Sequence, residues 1–330
     1  MTWLIMVHAL AIGSFAGDAK ELRLGHFSNV THAQAVMAHA TGEFEKAAGV
    51  PIRWTTFNAG PSAIEALISG AIDATYIGPS PAINGYVKTS GEGLRIVAGS
   101  ASGGAALILQ GDGGIKSDRD FNDKIIATPQ LGNTQDVAAR IWFQEKGYRT
   151  KDKGGNLTVI PLTSSDQFLL FQKKEIHGAW TIEPWVSRLE IEANGKVFLE
   201  EKTLWPKGRY VTTHLIVSRK FLERNRPLVK KLIQAHVEVT QKLNADKRAA
   251  SKGINEELKR ETGKPLPENV ILSALARVEF TWDPIPESLF KAARDAHQIG
   301  FLRNPPDLAG IYDLSLLNEV LKEKGLPSLK

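Results

Sequence analysis

The chain has no cysteine among its 330 residues. That absence excludes a disulfide framework, a thiolate nucleophile, Cys-ligated zinc, an iron–sulfur cluster and a lipid anchor attached through cysteine. It is compatible with an oxidising or a reducing compartment. Excess charge is scarce too: 41 Lys and Arg face 36 Asp and Glu, which leaves +5. The surplus is local, because residues 219–265 hold 13 Lys/Arg against 6 Asp/Glu. Aromatics scarcely interleave with them, so a solvated helix face is the expectation and no nucleic-acid partner is expected.

Long apolar runs are missing. Residues 3–17 carry no charged side chain, yet they fall short of the ~20 residues needed to span a bilayer. Ser14-Phe15-Ala16 fits the small-x-small pattern of a cleavage site, so residues 1–16 are expected to be a secretory signal peptide. Its n-region is atypical in lacking Lys and Arg, and a buried first strand or helix is the alternative. The mature chain, starting near Gly17, is expected to be exported, periplasmic, soluble and not anchored through a cysteine.

Enzyme signatures are absent as well. There is no Walker A sequence, no Gly-x-Gly-x-x-Gly after a strand, no His-Glu-x-x-His and no Gly-x-Ser-x-Gly. His26, His32 and His39 lie close together in sequence without a carboxylate-rich partner motif, so no metal and no other cofactor is expected.

What is present is an ordinary globular composition, 42% hydrophobic and 23% charged, in a chain long enough for two domains of ~150 residues. Short β runs alternate with helical patterns. Strands are expected at residues 22–27, 51–57, 72–77 and 95–98, with helices at 33–40 and 62–68 between them. After the loop-like Gly111–Gly114 the pattern restarts, with strands near 124–127, 157–161 and 177–180 and helices at 136–146 and 165–174. Such alternation argues for parallel sheets covered by helices. From Pro227 the chain turns helical, with Leu228, Leu232, Ile233, His236, Val239 and Leu243 on one face. Two further helices are expected at 267–277 and 314–324.

Five loops share one character: a strand runs into small residues carrying a hydroxyl or amide where a helix would begin. They are Ser28-Asn29-Val30-Thr31-His32, Asn58-Ala59-Gly60-Pro61-Ser62, Gly78-Pro79-Ser80-Pro81, Gly99-Ser100-Ala101-Ser102-Gly103 and Thr128-Pro129-Gln130-Leu131-Gly132-Asn133-Thr134. In open α/β sheets ligands bind at the carboxyl ends of the strands, and free helix N-termini attract anions. Plain N-capping by Ser, Thr and Asn is the bland alternative for any one loop. A sixth motif, Trp180-Thr181-Ile182-Glu183-Pro184-Trp185, places a carboxylate between two indoles just after a strand. If Glu183 faces the ligand, the ligand carries an amine besides its anion; the alternative is a helix start with local Trp packing.

The stretches 60–67 and 76–86, the loop 127–136, Glu183-Pro184-Trp185 and the tail from Phe301-Leu302 to Ile311–Asn318 resemble the substrate-binding proteins of sulfonate/nitrate/taurine ABC importers. The resemblance covers the chain from about residue 21. It implies a type II periplasmic-binding fold, in which two α/β lobes are joined by two crossover strands and enclose a ligand cleft. Lobe one would span 21–108 plus 214–330 and lobe two 109–213, with His214–Val217 returning beside Ala106–Leu109. The resemblance also implies a monomeric receptor that delivers a small organic anion, an aliphatic sulfonate first of all, to an ABC permease. It would bind without doing chemistry. Receptors for nitrate, bicarbonate or a pyrimidine thiamine precursor are the alternatives. The expected ligand-facing residues are Ser28, Asn29, Thr31, His32, Gly60, Pro61, Ser62, Gly78, Pro79, Ser80, Ser100, Ser102, Gly103, Gln130, Gly132, Asn133, Thr134, Trp180, Glu183 and Trp185. Trp180 or Trp185 would cover the alkyl part.

Overall fold

A computed structural model of the chain describes residues 19–329; the expected signal peptide at 1–16 lies outside them. Among the described residues eleven strands form two sheets. The first contains β1 (Leu22–His26), β2 (Ile52–Thr56), β3 (Ala74–Ile77) and β4 (Leu94–Gly103). The chain then enters the second sheet with β5 (Ala105–Gln110), β6 (Ile125–Thr128), β7 (Thr158–Pro161), β8 (Gly178–Ile182) and β9 (Gly195–Glu200). It returns to the first with β10 (Val211–Ser218) and β11 (Val278–Phe280).

The two sheets repeat one plan. Their orders are β2-β1-β3-β10-β4-β11 and β7-β6-β8-β5-β9. Parallel strands occupy one side of each sheet, as β1 with β2 and β3, and β6 with β7 and β8. In each, the strand that has just crossed from the other sheet lies antiparallel between two residents, β10 between β3 and β4 and β5 between β8 and β9. Helices cover both sheets, as the strand–helix alternation predicts.

Two boundaries differ from the expectation. The outbound crossing lies at Gly103-Gly104, both at positive φ, so residues 105–108 belong to the second sheet and not to lobe one. On the return, 211–213 already belong to the first sheet. β10 pairs with β4 and β3, not beside Ala106–Leu109, because the sharp turn at the two glycines carries β5 away into the other sheet.

The expected helices form with small shifts at their ends: Ala33–Thr41, Gly60–Ile68, Thr134–Glu145, Ser164–Gln172, Arg226–Ala245, Glu268–Ala276 and Ser315–Glu323. Pro61, Pro79 and Pro227 sit in the first turn of theirs, where a missing N–H costs nothing. Helices at Pro79–Lys88, Trp185–Glu192, Lys247–Thr262 and Pro286–Gln298 complete the cover. The first sheet is buried between two apolar clusters, one holding Leu24, Val97, Leu215 and Leu232 and the other Ile77, Ile96, Ile216 and Leu289. Each such side chain contributes about 1.5–3 kcal/mol on burial. The lobes meet on two sides of the crossovers. Helix 134–145 packs against 79–88 and 286–298, and helix 185–192 packs against 268–276.

One expected loop is a strand. Gly99–Gly103 continues β4 in place of opening a helix. Its small residues answer a close approach: a Cβ at Gly99 would lie 2.1 Å from the Asp283 carbonyl oxygen, and the Gly99 N–H donates to the Trp282 carbonyl at 2.8 Å.

Candidate ligand-binding cleft

The carboxyl ends of β1, β3 and β6 open onto a cavity between the lobes. The first lobe lines it with Phe27, Asn29, Thr31, His32, Asn58, Gly78, Thr212 and Thr213, and the second with Pro129, Asn133, Thr134, Gln135, Ser164 and Ile182. Its volume is about 30 Å³, room for roughly two waters. No Lys, Arg, Asp or Glu is among the lining residues. The lobes approach closely here: a Cβ at Gly78 would lie 2.3 Å from Thr134 Oγ1, and one at Gly60 would lie 3.2 Å from Asn133 Oδ1.

Four of the five small-residue loops do open helices at this rim. The loop after β1 forms a short 3-10 turn, Val30–His32, whose cap Asn29 accepts from the Thr31 N–H at 3.1 Å and from its hydroxyl at 2.7 Å. The other three helices behave differently. Those at Gly60–Ile68, Pro79–Lys88 and Thr134–Glu145 start behind Ala59, Gly78 and Asn133, and none of these side chains caps its helix. The amide of Asn133 is spent instead on Gln135 Oε1, at 3.2 Å. The hydroxyls of Ser80 and Thr134 are buried without any hydrogen-bond partner. Uncapped helix ends from both lobes turn their positive dipole ends toward this region. The idle Thr134 hydroxyl lines the cavity, and the Ser80 hydroxyl lines an adjoining one that Thr134 also borders.

His32 adds a neutral donor. The Phe27 N–H donates to its Nδ1 at 3.2 Å, which leaves the ring proton on Nε2. Burial, reinforced by the neighbouring His26, holds the His32 pKa well below its ordinary 6.5. The imidazole stacks on Phe27 with centroids 4.3 Å apart.

A profile of the NMT1-like family matches residues 16–255. The chain belongs to the NMT1-like family. It is 23% identical over 239 residues to the taurine-binding periplasmic protein of Escherichia coli K12, covering 72% of this chain and 70% of that one. Its fold is that of the alkanesulfonate-binding protein SsuA from Xanthomonas axonopodis pv. citri bound to MOPS, with a TM-score of 0.73 at 19% identity over 90% of this chain and 99% of that one. It is also that of the periplasmic nitrate-binding protein NrtA from Synechocystis PCC 6803, with a TM-score of 0.76 at 15% identity, covering 93% and 90%. The sequence resemblance to sulfonate/nitrate/taurine receptors and the two-lobe periplasmic-binding fold both stand.

The NMT1-like chain distributes its expected site residues unevenly. Asn29, Thr31, His32, Gly78, Asn133 and Thr134 line the cavity. Pro79 and Ser80 line a second cavity of about 20 Å³, which Thr134 also borders, and Gly60 stands at the rim. Pro61, Gln130 and Gly132 flank the helix starts, and the Gly132 N–H is bonded to Asp136 at 2.9 Å.

The other expectations are corrected. The Ser62 hydroxyl is exposed and donates to the Ala59 carbonyl. Ser28 is half-buried and does not line the cavity. Ser100 donates to Gln34 at 2.9 Å inside β4, Ser102 accepts from the Tyr210 N–H, and Gly103 makes the crossing turn. Trp180 is wholly buried in the second lobe and donates to Glu201 at 2.7 Å, so it covers no ligand. Trp185 packs on Phe168 and under the Arg188 guanidinium. Glu183 does not face the cavity: it accepts from the Ser187 N–H and hydroxyl and from Arg277, at 2.9–3.1 Å. Its carboxyl is pushed up to about 7 by burial, against the pull of Ser187 and Arg277.

The expected ligand-facing set omitted Phe27, Asn58, Pro129, Gln135, Ser164, Ile182, Thr212 and Thr213, of which Asn58 and Pro129 lie in loops already singled out. Thr212 and Thr213 were within reach, since they immediately precede the strand expected at His214.

Proposed function

We propose that this protein is a periplasmic solute receptor that captures an aliphatic sulfonate, or a similar small anion, between its lobes and delivers it to an ABC importer. The observation that carries the reading is the uncapped start of helix 134–145 at the cavity, with the partnerless Thr134 hydroxyl inside it and the partnerless Ser80 hydroxyl in the adjoining cavity that Thr134 also borders. Neutral N–H and O–H donors suit a delocalised oxyanion and need no buried counter-charge, whose desolvation would be costly. The ligand bridges both lobes only when they approach, so binding selects the closed form. No group is placed to act on the ligand, and the receptor does no chemistry.

The rest of the ligand is uncharged. With Glu183 bonded to Ser187 and Arg277 and no carboxylate lining the main cavity, an ammonium group finds no partner there; Glu201 and Asp295 line only the adjoining cavity. Simple alkanesulfonates therefore rank above taurine, although a taurine-binding protein is among the relatives. A second reading, a nitrate or bicarbonate receptor, draws support from the cavity of about 30 Å³. The pyrimidine alternative loses the support it needed from Glu183.

A thermal-shift panel of methane- and ethanesulfonate, taurine, nitrate, bicarbonate and a hydroxymethylpyrimidine tests the assignment. A ligand at one hundred times its Kd adds about 2.7 kcal/mol, several degrees of Tm. The expected result is a rise with short alkanesulfonates and a smaller one with taurine. A rise with nitrate or bicarbonate alone moves the assignment to the second reading. No rise with any sulfonate or small oxyanion overturns both.

A further inference from the structure

Directly behind the cleft, the fold gathers the carboxylates that the sequence around the N-terminal histidines lacked. His26 ends β1, His39 lies in helix 33–41, and Glu257 and Glu261 lie four residues apart in helix 247–262, on one face of it. His26 Nε2 is 2.6 Å from Glu261 Oε1, and His39 Nδ1 is 2.8 Å from Glu257 Oε1 and 3.3 Å from Glu261 Oε1. We propose that His26, His39 and Glu261, with Glu257 beside them at His39, form a binding site for one divalent first-row transition metal, with zinc the best match.

Four observations support this. The set contains two imidazoles and one carboxylate, a three-ligand zinc set that leaves a fourth position open. With bonds of ~2.0–2.1 Å the ligand atoms of such a site stand about 3.3 Å apart; His39 Nδ1 and Glu261 Oε1 already do, at 3.3 Å, and His26 Nε2 and Glu261 Oε1, at 2.6 Å, need to separate by about 0.7 Å. The His26, His39 and Glu261 ligand atoms already lie within 4.8 Å of one another.

Second, the cluster is buried. His26 is wholly buried and the side chains of Glu257 and Glu261 are 1% and 5% exposed. A divalent cation with two neutral imidazoles balances two carboxylates; the only guanidinium at hand, that of Arg260, reaches just the far oxygen of Glu257. Third, coordination is left open: Glu257 Oε1 and Glu261 Oε2 make no hydrogen bond of acceptable geometry.

Fourth, the surroundings hold the ligands in place. Trp54 stacks on His39 at 4.8 Å and meets His26 edge-on at 5.4 Å. Because His26 leads straight into Phe27 and Asn29 of the cleft, a bound metal would pin that loop to helix 247–262.

The test uses the full-length secreted chain without a polyhistidine tag, stripped with chelator and titrated with zinc chloride. Binding is read by calorimetry and by elemental analysis after gel filtration, and the visible spectrum with cobalt(II) reports the coordination. The expected result is one zinc per chain, a four-coordinate cobalt spectrum, and at least a tenfold loss of affinity in His39→Ala and in Glu261→Gln. His39 is partly exposed, so its variant is expected to fold, and circular dichroism checks that it does. His297→Ala, far from the cluster in sequence and fold, keeps wild-type affinity. The proposal is overturned if the wild-type chain binds no zinc at millimolar concentration. It is also overturned if both ligand variants bind zinc as tightly as wild type, or if cobalt gives only a six-coordinate aquo-type spectrum.

Discussion

Gly78 and Thr134 face each other across the lobes so closely that a single added methyl at Gly78 would lie 2.3 Å from Thr134 Oγ1. Gly78 sits at φ −72, so its backbone does not require glycine; the approach of the opposite lobe does. Gly78→Ala is expected to fold normally and to resist closure. The overpacking cost of ~1–3 kcal/mol corresponds to a rise in ligand Kd of about 5- to 150-fold. Calorimetric titration of the preferred sulfonate measures it.

Ser80 and Ser100 make a contrasting pair. The Ser80 hydroxyl has no partner among the described residues, so Ser80→Ala is expected to leave Tm nearly unchanged. It should weaken binding by about 1.5–3 kcal/mol, the worth of a hydrogen bond to a charged group. Ser100 donates to buried Gln34, so Ser100→Ala is expected to cost ~1–3 kcal/mol of stability and little affinity. Urea unfolding beside ligand titration separates the two effects.

Glu201 predicts a pH dependence of stability. Burial pushes its carboxyl from the ordinary 4.5 up to about 7, against the Trp180 and Trp205 indoles. Between those values the folded chain binds a proton that the unfolded chain has released, so this group's contribution falls as pH rises through the window. Glu201→Gln stays neutral and retains an acceptor for Trp180. The Tm of the variant relative to wild type is expected to climb from pH 5 to pH 8. A constant difference would contradict the assignment.

His236 works in the opposite sense. Its Nδ1 bonds the Tyr76 hydroxyl and its Nε2 bonds the Gly99 carbonyl, both at 2.8 Å, and burial lowers its pKa to about 4. The unfolded chain binds a proton below about 6.5 that the folded chain refuses, so stability falls as pH drops from there toward 4. His236→Gln is expected to lower stability at neutral pH and to flatten that acid slope in urea melts.

Arg277 holds three carboxylates of the second lobe, Glu183, Glu190 and Glu200. Removing it leaves Glu183 buried without its cation. Arg277→Ala is therefore expected to lose about 3–5 kcal/mol of stability, with Glu183→Gln recovering part of it in the double variant.

Much of this organisation is legible in the chain before folding. The alternation of strands and helices and the small-residue loops at 28–32, 58–62, 78–81 and 128–134 depend on short-range chemistry, and they form where expected. Failures come where a distant segment decides. The small residues at 99–103 look like a loop because the cause of their smallness, the 281–284 backbone pressed on β4, lies some 180 residues away. Glu183 looks like a ligand group because its counter-ion is 94 residues downstream. The carboxylates that join His26 and His39 come from positions 257 and 261, more than 200 residues on. Trp180 reads equally well as core or cleft until its Glu201 partner is seen.

A crystal structure of the protein grown with its best-stabilising alkanesulfonate tests the central claim most directly. The account predicts the sulfonate group between the lobes where the two adjoining cavities meet at Thr134, within hydrogen-bond distance of the Thr134 and Ser80 hydroxyls, the Ser80 N–H and the N–H groups opening helix 134–145. A sulfonate bound outside those cavities, or one held there by a Lys or Arg side chain with those hydroxyls still idle, would contradict it.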